Sequence, residues 1–376
     1  MTKKLRVGII FGGKSAEHEV SINSAKNVMR ALDKNKYEAI PIGIGKDGRW
    51  LTRGDPLKVL TGGESSLPQL LGSGYQIVDE RSTGRELIPG TQVSGLPEVD
   101  VIFPVLHGPF GEDGTVQGLL ELADIPYVGA GVMSSAVGMD KAAMKDLFRS
   151  HKLPMPKYVI IKRREWERTP ELAAQRIASE IGYPCFVKPA NMGSSVGVHK
   201  VHVVEELPGA MKDAAAYDRK IVVEYAIPNA RELECSVLGN DDPIASIVGE
   251  VVPSHEFYDY EAKYVDESSQ LLIPAPIDQA VADRVRDLSI KAFRALDCAG
   301  MARVDFFLAR ETNELFLNEL NTIPGFTPIS MYPKLWAASG LSYSELIDRL
   351  IDLALERHDD KHRSKTDYQS SMNNDQ

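Results

Sequence analysis

Two short apolar runs near the C-terminal end, joined by a polar turn, constrain the fold of this chain most. One run carries Asp305, the other carries Glu319 and Asn321, and polar residues 309–314 lie between them. This pattern predicts a β-hairpin. Because residues two apart on a strand project to the same face, Glu319 and Asn321 point together, and Asp305 joins them where the register allows. Two carboxylates and an amide provide hard oxygen donors, which suit Mg²⁺; the alternative is an exposed hairpin with ordinary polar positions.

Composition sets the broad class of the protein. The chain has 376 residues, of which 43% are hydrophobic, enough for two or three domains with a real core. A net charge of −10 argues against a nucleic-acid-binding surface. No apolar run reaches the roughly 18 residues needed to span a bilayer, and the first apolar run is too short for a signal peptide. Cys185, Cys235 and Cys298 are scattered without metal-site spacing. We therefore expect a cytoplasmic protein with reduced thiols and no membrane partner.

The first third of the chain alternates short apolar strands with helix-like stretches. Strands are expected at 6–11, 39–44 and 99–105, and apolar and small residues at helical spacing predict a helix from Val20 to Leu32. This alternation indicates an open α/β sheet. Residues 52–95 are rich in Gly, Pro, Ser and Thr, and predict a long irregular surface insertion.

The remainder of the chain has a different organisation. A helix is expected from Met139 to Arg149, and strand-like runs at 183–189 and 220–224 bracket a Gly/Ser loop. The last helix is expected over Tyr343 to His358, where apolar residues form one stripe. Beyond it the sequence is polar and charged, which predicts disorder.

A Walker A pattern near the N-terminus is a false lead. Gly8, Gly13, Lys14 and Ser15 match it letter for letter. A P-loop needs loop conformation at the four variable positions, whereas here three of them are the apolar residues that end the first strand. We therefore predict a strand followed by a Gly-Gly turn, which delivers Glu17 to a helix start at the carboxyl edge of the sheet, where ligands bind. The alternative for Glu17 is an acid that stabilises the helix dipole.

Three further motifs carry candidate binding residues. His107 follows a strand and precedes a glycine-rich turn, which is a typical substrate position, although a lone histidine is more often structural. Lys188 ends an apolar run, where solvated lysines are uncommon, and Lys141 is a second candidate for binding phosphate. The segment 191–197 reads Asn-Met-Gly-Ser-Ser-Val-Gly, whose small residues let backbone N–H groups approach phosphate oxygens.

Together these motifs resemble the ATP-grasp ligases, and most closely the D-alanine–D-alanine ligases. The resemblance covers about residues 3–358. It implies an α/β protein with an N-terminal open parallel α/β domain at 1–130, followed by a two-part ATP-grasp domain of α+β type. Its central subdomain would span 131–224 and its C-terminal subdomain, with the metal and substrate site, 225–360. A disordered tail would follow at 361–376.

The resemblance also implies a role for each site residue. The catalytic group would be Glu17, His107, Ser194, Tyr264 and Arg303. Substrate would be bound by Glu17, His107, Arg303, Gly325, Ser330 and Met331. The nucleotide would be bound by Lys141, Lys188, Ser194, Ser195, Glu224, Ile227, Glu232 and Lys263. The metal ligands would be Asp305, Glu319 and Asn321.

The implied reaction joins two D-alanine molecules through a D-alanyl phosphate, with ATP and two Mg²⁺ ions, or Mn²⁺, in a homodimer. Two other functions remain open. A D-alanine–D-lactate ligase would carry a histidine in its specificity loop, and His255 lies near Tyr264. A regulatory protein could keep the fold without turnover. A dinucleotide oxidoreductase is disfavoured, because no Gly-x-Gly-x-x-Gly follows the first strand.

Overall fold

The computed structural model describes residues 3–52, 54–61, 77–78, 98–252 and 270–365, with 77–78 described by backbone alone. The strands are β1 (Leu5–Gly12), β2 (Tyr37–Ile44), β3 (Trp50–Leu51), β4 (Ile77–Val78), β5 (Val101–Pro104), β6 (Tyr158–Lys162), β7 (Cys185–Pro189), β8 (His199–Val201), β9 (Lys220–Tyr225), β10 (Ala230–Gly239), β11 (Ile244–Val252), β12 (Gln270–Leu272), β13 (Gly300–Ala309) and β14 (Leu315–Asn321). The helices are α1 (His18–Ala31), α2 (Pro56–Thr61), α3 (Thr115–Leu122), α4 (Val132–Met139), α5 (Lys141–Ser150), α6 (Arg163–Arg168), α7 (Pro170–Glu180), α8 (Leu207–Tyr217), α9 (Gln279–Ala295), α10 (Met331–Ala338) and α11 (Tyr343–His362).

The first sheet has the order β4-β3-β2-β1-β5, and β1 pairs in parallel with both β2 and β5. This confirms the predicted open α/β sheet. Gly8 lies within β1, opposite Ile40 and Ile102, so the Walker A pattern does not form a P-loop. Gly12 has a φ of 93°, and a Cβ there would lie 2.1 Å from a backbone oxygen, so the turn after β1 requires glycine.

Helix α1 follows that turn closely. The predicted stripe of Val20, Ser24, Val28 and Leu32 is buried, although Leu32 caps the helix and lies outside it. The Ser21 hydroxyl accepts from the Gly12 N–H at 2.8 Å and ties the first turn of α1 to the end of β1. The start of α1 is therefore held at the carboxyl edge of the sheet.

Two antiparallel sheets form the rest of the molecule. One has the order β6-β9-β7-β8, and the other has the order β12-β11-β10-β13-β14. The predicted strands at 183–189 and 220–224 are β7 and β9, and they pair with each other. The predicted hairpin is β13 and β14, in which Asp305 faces Glu319 and Arg303 faces Asn321.

Three predicted boundaries need correction. Met139 ends α4, and Asp140 caps α5 by accepting from the N–H groups of Ala142 and Ala143, so the expected helix at 139–149 is α5 and begins two residues later, at Lys141. Within the expected irregular insertion, residues 56–61 are helical and 77–78 pair with β3. Helix α11 ends at His362, four residues beyond the predicted His358, so the first part of the expected tail is ordered.

Helix α11 packs the C-terminal end of the chain against the first sheet. Its buried residues Leu346, Ile347, Leu350 and Ile351 share a core cluster with Val7 and other residues of β1 and β5. Burial of each such side chain contributes about 1.5–3 kcal/mol. None of the helices in the described part of the chain is both long and apolar enough to cross a bilayer.

Candidate active site

A cavity of about 700 Å³ lies between the first sheet and the two antiparallel sheets. Most of the predicted site residues in the described part of the chain line it: Glu17, His107, Lys141, Lys188, Ser194, Ser195, Glu232, Arg303, Asp305, Glu319, Asn321, Gly325, Ser330 and Met331. Glu224 and Ile227 do not line it. Tyr264 and Lys263 lie outside the described residues. The cavity thus brings together motifs that are more than 300 positions apart in the chain.

The predicted metal ligands share one face of the β13–β14 hairpin. Asp305 stands directly opposite Glu319, and a shift of register leaves Asn318 as an extra residue on β14. Nδ2 of Asn321 donates a hydrogen bond to Asp305 at 3.0 Å. Because all the donors are hard oxygens on one face, their chemistry fits a divalent cation such as Mg²⁺.

Arg303 organises the acidic groups of this face. Its Nε and Nη2 donate to the two oxygens of Asp305 at 2.7 and 2.8 Å, and Nε lies 3.0 Å from Glu234. Burial opposes the charged form, but Asp305 and Glu234 raise the pKa of Arg303 well above its usual value. Arg303 is therefore a permanent cation fixed at the wall of the cavity.

The side chain of Glu17 makes a hydrogen bond with the Gly/Ser loop. Glu17 occupies the N-cap of α1, yet its side chain makes no capping hydrogen bond. Instead, the Ser194 hydroxyl donates to a carboxylate oxygen of Glu17. Ser194 and Ser195 have φ values of 50° and 59°, an uncommon conformation that is often found at functional sites. The Glu17 carboxylate thus contacts the Gly/Ser loop across the cavity, from its position at the N-terminus of α1.

His107 is buried beneath the cavity. Its Nδ1 lies 3.1 Å from the carbonyl oxygen of Ile323, and its Nε2 lies 3.4 Å from the Ser24 hydroxyl. Ser24 in turn accepts from the N–H of Phe326 at 3.3 Å. Burial lowers the pKa of His107, although Glu17 acts in the opposite direction. The ring therefore joins α1 to the loop after β14 and is neutral at physiological pH.

Lys188 belongs to a buried ion-pair network. It pairs with Glu224, which also lies 2.7 Å from Lys145. Burial opposes ionisation of Glu224, but Lys145 and Lys188 lower the pKa of its carboxyl to about 2. Glu224 is 1% exposed, so in this structure its side chain orients two lysines and is not open to the cavity.

Lys141 bridges the loop and the hairpin. Its Nζ donates to the carbonyl oxygen of Met192 at 2.6 Å and lies 3.8 Å from Glu319. A cation at the first position of α5 therefore stands between the Gly/Ser loop and the acidic face.

The loop after β14 supplies the opposite wall. Ser330 caps α10, and its hydroxyl accepts from the N–H of Thr327 at 3.0 Å. A Cβ on Gly325 would lie 2.6 Å from the Ser330 hydroxyl, so a larger residue there would displace this side chain. The N-terminus of α10, at Met331, opens toward the cavity, and a helix N-terminus favours anions.

Sequence reasoning missed two site residues. Lys145 lies one helical turn after Lys141 on the same face of α5, a spacing that could have indicated it. Glu112 belongs to the glycine-rich turn after His107 and accepts from the Gly108 N–H at 3.1 Å. Burial and the nearby Glu17 raise the pKa of Glu112 to about 8.

Comparison with known proteins agrees with this geometry. Residues 6–130 match the family model described as D-ala D-ala ligase N-terminus, and residues 147–352 match D-ala D-ala ligase C-terminus. The D-alanine–D-alanine ligase of Thermoanaerobacter sp. (strain X514) is 54% identical over 367 residues, which are 96% of this chain and 99% of the relative.

Solved structures give the same result. The D-alanine–D-alanine ligase of Coxiella burnetii is 37% identical with a TM-score of 0.81, covering 96% of this chain and 97% of that one. The D-Ala:D-Ser ligase of Enterococcus faecalis is also 37% identical, with a TM-score of 0.78 and coverage of 94% and 100%. By sequence and by structure, this chain belongs to the D-alanine–D-alanine ligase family.

Proposed function

We propose that the protein joins two D-alanine molecules at the expense of ATP, forming D-alanyl-D-alanine, ADP and phosphate for peptidoglycan precursor synthesis. The observation that carries this proposal is the convergence of the Gly/Ser loop at 193–195, the oxygen donors on the β13–β14 hairpin and Glu17 on one cavity. Ligation of a carboxylate to an amine needs these elements together, because the carboxylate must first be activated.

The nucleotide would lie between the two antiparallel sheets. Lys188, held by Glu224, and Lys141, held by the Met192 carbonyl, present cations to the triphosphate. The amides of the loop at Ser194 and Ser195 cover it, and Glu232 accepts from the ribose hydroxyls. Two Mg²⁺ ions, or Mn²⁺, held by Asp305, Glu319 and Asn321 would neutralise charge on the triphosphate and its leaving group.

The first D-alanine would be bound by its ammonium group at Glu17, near His107. Its carboxylate oxygen attacks the γ-phosphorus of ATP, and ADP leaves. The resulting acyl phosphate is open to attack at the carbonyl carbon. Arg303 and the backbone N–H of Gly325 are the donors for the oxyanion that then forms, and fixed donors of this kind stabilise a transition state.

The second D-alanine would be bound at the start of α10. Its carboxylate would accept from the Ser330 hydroxyl and the Met331 N–H, where the helix dipole favours negative charge. Its amine is then directed at the acyl phosphate carbon, and phosphate leaves as the tetrahedral intermediate collapses. Because both reactants are bound at fixed positions, the amine would reach the acyl phosphate carbon in one orientation, without a random encounter in solution.

The proposal also includes a residue that selects the second substrate. We assign it to Tyr264, whose phenol is neutral at physiological pH, whereas a partly cationic histidine would repel the ammonium of D-alanine. The similarity to a D-Ala:D-Ser ligase makes D-serine the relevant competitor, beside D-lactate.

Phosphate release from ATP with single and paired amino acids tests the proposal. D-Alanine should support release and dipeptide formation at pH 7, whereas L-alanine alone should not. In mixtures with D-alanine, D-lactate and D-serine should give little mixed product, and Tyr264→His should gain some use of D-lactate. A mixed product formed as readily as the dipeptide by the unmodified protein would contradict the assignment to Tyr264.

Three further expectations belong to the same proposal. The division into domains at 1–130, 131–224 and 225–360 is supported by the three sheets, because each range contains one sheet. Among the described strands only β9 extends past a boundary, by one residue. A cytoplasmic location is supported by three free, buried cysteines among the described residues. A homodimer is expected by analogy with the family, and sedimentation would test it.

A further inference from the structure

Two histidines and an aspartate meet on the surface away from the cavity. His358 and His362 lie one helical turn apart near the end of α11, and Asp124 follows α3. One ligand atom from each lies within 4.8 Å of the others. None of the three lines the active-site cavity, so the proposed ligation reaction does not account for them.

The distances suit a tetrahedral metal ion. Nε2 of His358 lies 3.3 Å from Oδ1 of Asp124, and Nε2 of His362 lies 3.0 Å from the same oxygen. Two ligand atoms, each about 2.1 Å from a tetrahedral zinc ion, are separated by about 3.4 Å. An ion could therefore enter with small side-chain movements.

The tautomers also suit a metal ion. Nδ1 of His362 lies 2.8 Å from the carbonyl oxygen of His358. A ring that donates from Nδ1 can bind a metal through Nε2, the arrangement found around ligating histidines, and the metal would then replace the direct contact of His362 Nε2 with Asp124. Nε2 of His358 is buried, and although it lies 3.3 Å from Asp124, it makes no hydrogen bond of good geometry among the described residues. An ion would give this nitrogen a partner.

Neighbouring contacts hold the two elements in place. Arg357 donates to the carbonyl oxygens of Gly129 and Tyr127, and Lys361 pairs with Glu121. Protein contacts thus dock the end of α11 on α3 and on the segment after it. Ordering the ligands on binding should therefore cost little.

We propose that Asp124, His358 and His362 form a site for Zn²⁺ or a similar divalent transition metal. Two imidazoles and one carboxylate are typical zinc ligands, and the exposed side leaves a fourth position for water. A metal ion there clamps the end of α11 to the first domain. Its role is structural, and the ligation reaction does not need it.

Zinc titration of the full-length protein tests this site. The titration is run in excess Mg²⁺, which occupies the hard-oxygen site and leaves a histidine site available. One equivalent of Zn²⁺ should bind and raise the melting temperature. Co²⁺ in place of Zn²⁺ should give the visible absorption of a tetrahedral complex.

Four variants decide the outcome. His358→Ala, His362→Ala and Asp124→Asn should each weaken zinc binding by about tenfold or more. His151→Ala removes an exposed histidine at the end of α5 and should bind like the unmodified protein. Basal ligase activity should be unchanged in all four. Failure of the unmodified protein to bind Zn²⁺, or binding within about threefold of it in any of the three site variants, would overturn the proposal.

Discussion

Asp305 and Glu319 stand directly opposite each other on β13 and β14. Like charges in this position destabilise a sheet. Arg303 offsets the charge of Asp305 by a two-point contact, and Lys141 lies 3.8 Å from Glu319. Two opposed carboxylates repel each other and lower the stability of the sheet. Such a pair is expected at a cation-binding site, because functional sites are commonly less stable than the rest of a fold.

Glu319→Gln should therefore abolish turnover while the protein stays folded. The amide removes one negative charge from the metal face and relieves the repulsion, so the melting temperature without ligands should be equal or higher. Turnover at saturating Mg²⁺ and the melting temperature are the measurements. Glu311→Gln changes an exposed acid in the turn of the same hairpin and serves as the control. Near-normal activity of Glu319→Gln would remove this residue from the metal site.

Replacement of Arg303 tests the oxyanion donor. Arg303→Met should cost about 3 kcal/mol of transition-state stabilisation, the usual scale for such a donor, and the loss should lie mainly in kcat. Because Arg303 also holds Asp305, the Mg²⁺ concentration for half-maximal activity is measured in parallel. An effect confined to the KM for ATP would mean that Arg303 only positions the nucleotide.

Two lysines distinguish the proposed phosphate site from the Walker A pattern. Lys14 is exposed and does not line the cavity. Lys14→Ala should leave ATP affinity nearly unchanged, whereas Lys188→Ala should weaken it by about tenfold or more, or 1.4 kcal/mol. Calorimetric ATP titration measures both, and circular dichroism checks that Lys188→Ala is folded, since this variant removes one of the two lysines that pair with the buried Glu224. Equal losses in the two variants would contradict the assignment.

The raised pKa of Glu112 predicts a pH dependence of stability. The unfolded chain loses this proton near the ordinary value of 4.5, whereas the folded protein keeps it until about pH 8. Between these values the folded state binds more protons, so this group makes stability fall as the pH rises. Denaturant unfolding of ligand-free Glu112→Gln should show a weaker fall over this range. The exposed Glu171→Gln should behave like the unmodified protein, and an identical slope in Glu112→Gln would refute the prediction.

The sequence predicted the hairpin and the first sheet because each has a local signature, whereas cavity-lining residues such as Glu232, Ser330 and Met331 were expected from the resemblance to a known family. Alternation marks strands, and Gly-Gly marks the turn that presents Glu17. The opposition of Asp305 and Glu319 was not predictable, because it depends on the register shift that leaves Asn318 unpaired. A register is set by packing along the whole strand pair and by irregularities in it.

Long-range ion pairs could not be predicted from local sequence patterns. Lys145 and Glu224 are 79 positions apart, and their pairing exists only because α5 packs against β9. A lone lysine in a sequence is most often solvated, so its burial needs the tertiary structure. Likewise, the polar end of α11 was expected to be disordered, whereas contacts of Lys361 with Glu121 in α3 and of His362 with Asp124 support the helix.

Transfer of oxygen from substrate to phosphate tests the central claim most directly. If ATP phosphorylates the carboxylate of the first D-alanine, one oxygen of that carboxylate leaves with the phosphate when the amine attacks. D-Alanine labelled with ¹⁸O in its carboxylate is incubated with ATP and Mg²⁺, and the phosphate is analysed by mass spectrometry. We expect one labelled oxygen in the phosphate for each dipeptide formed. Dipeptide accompanied by unlabelled phosphate would contradict an acyl phosphate at this site.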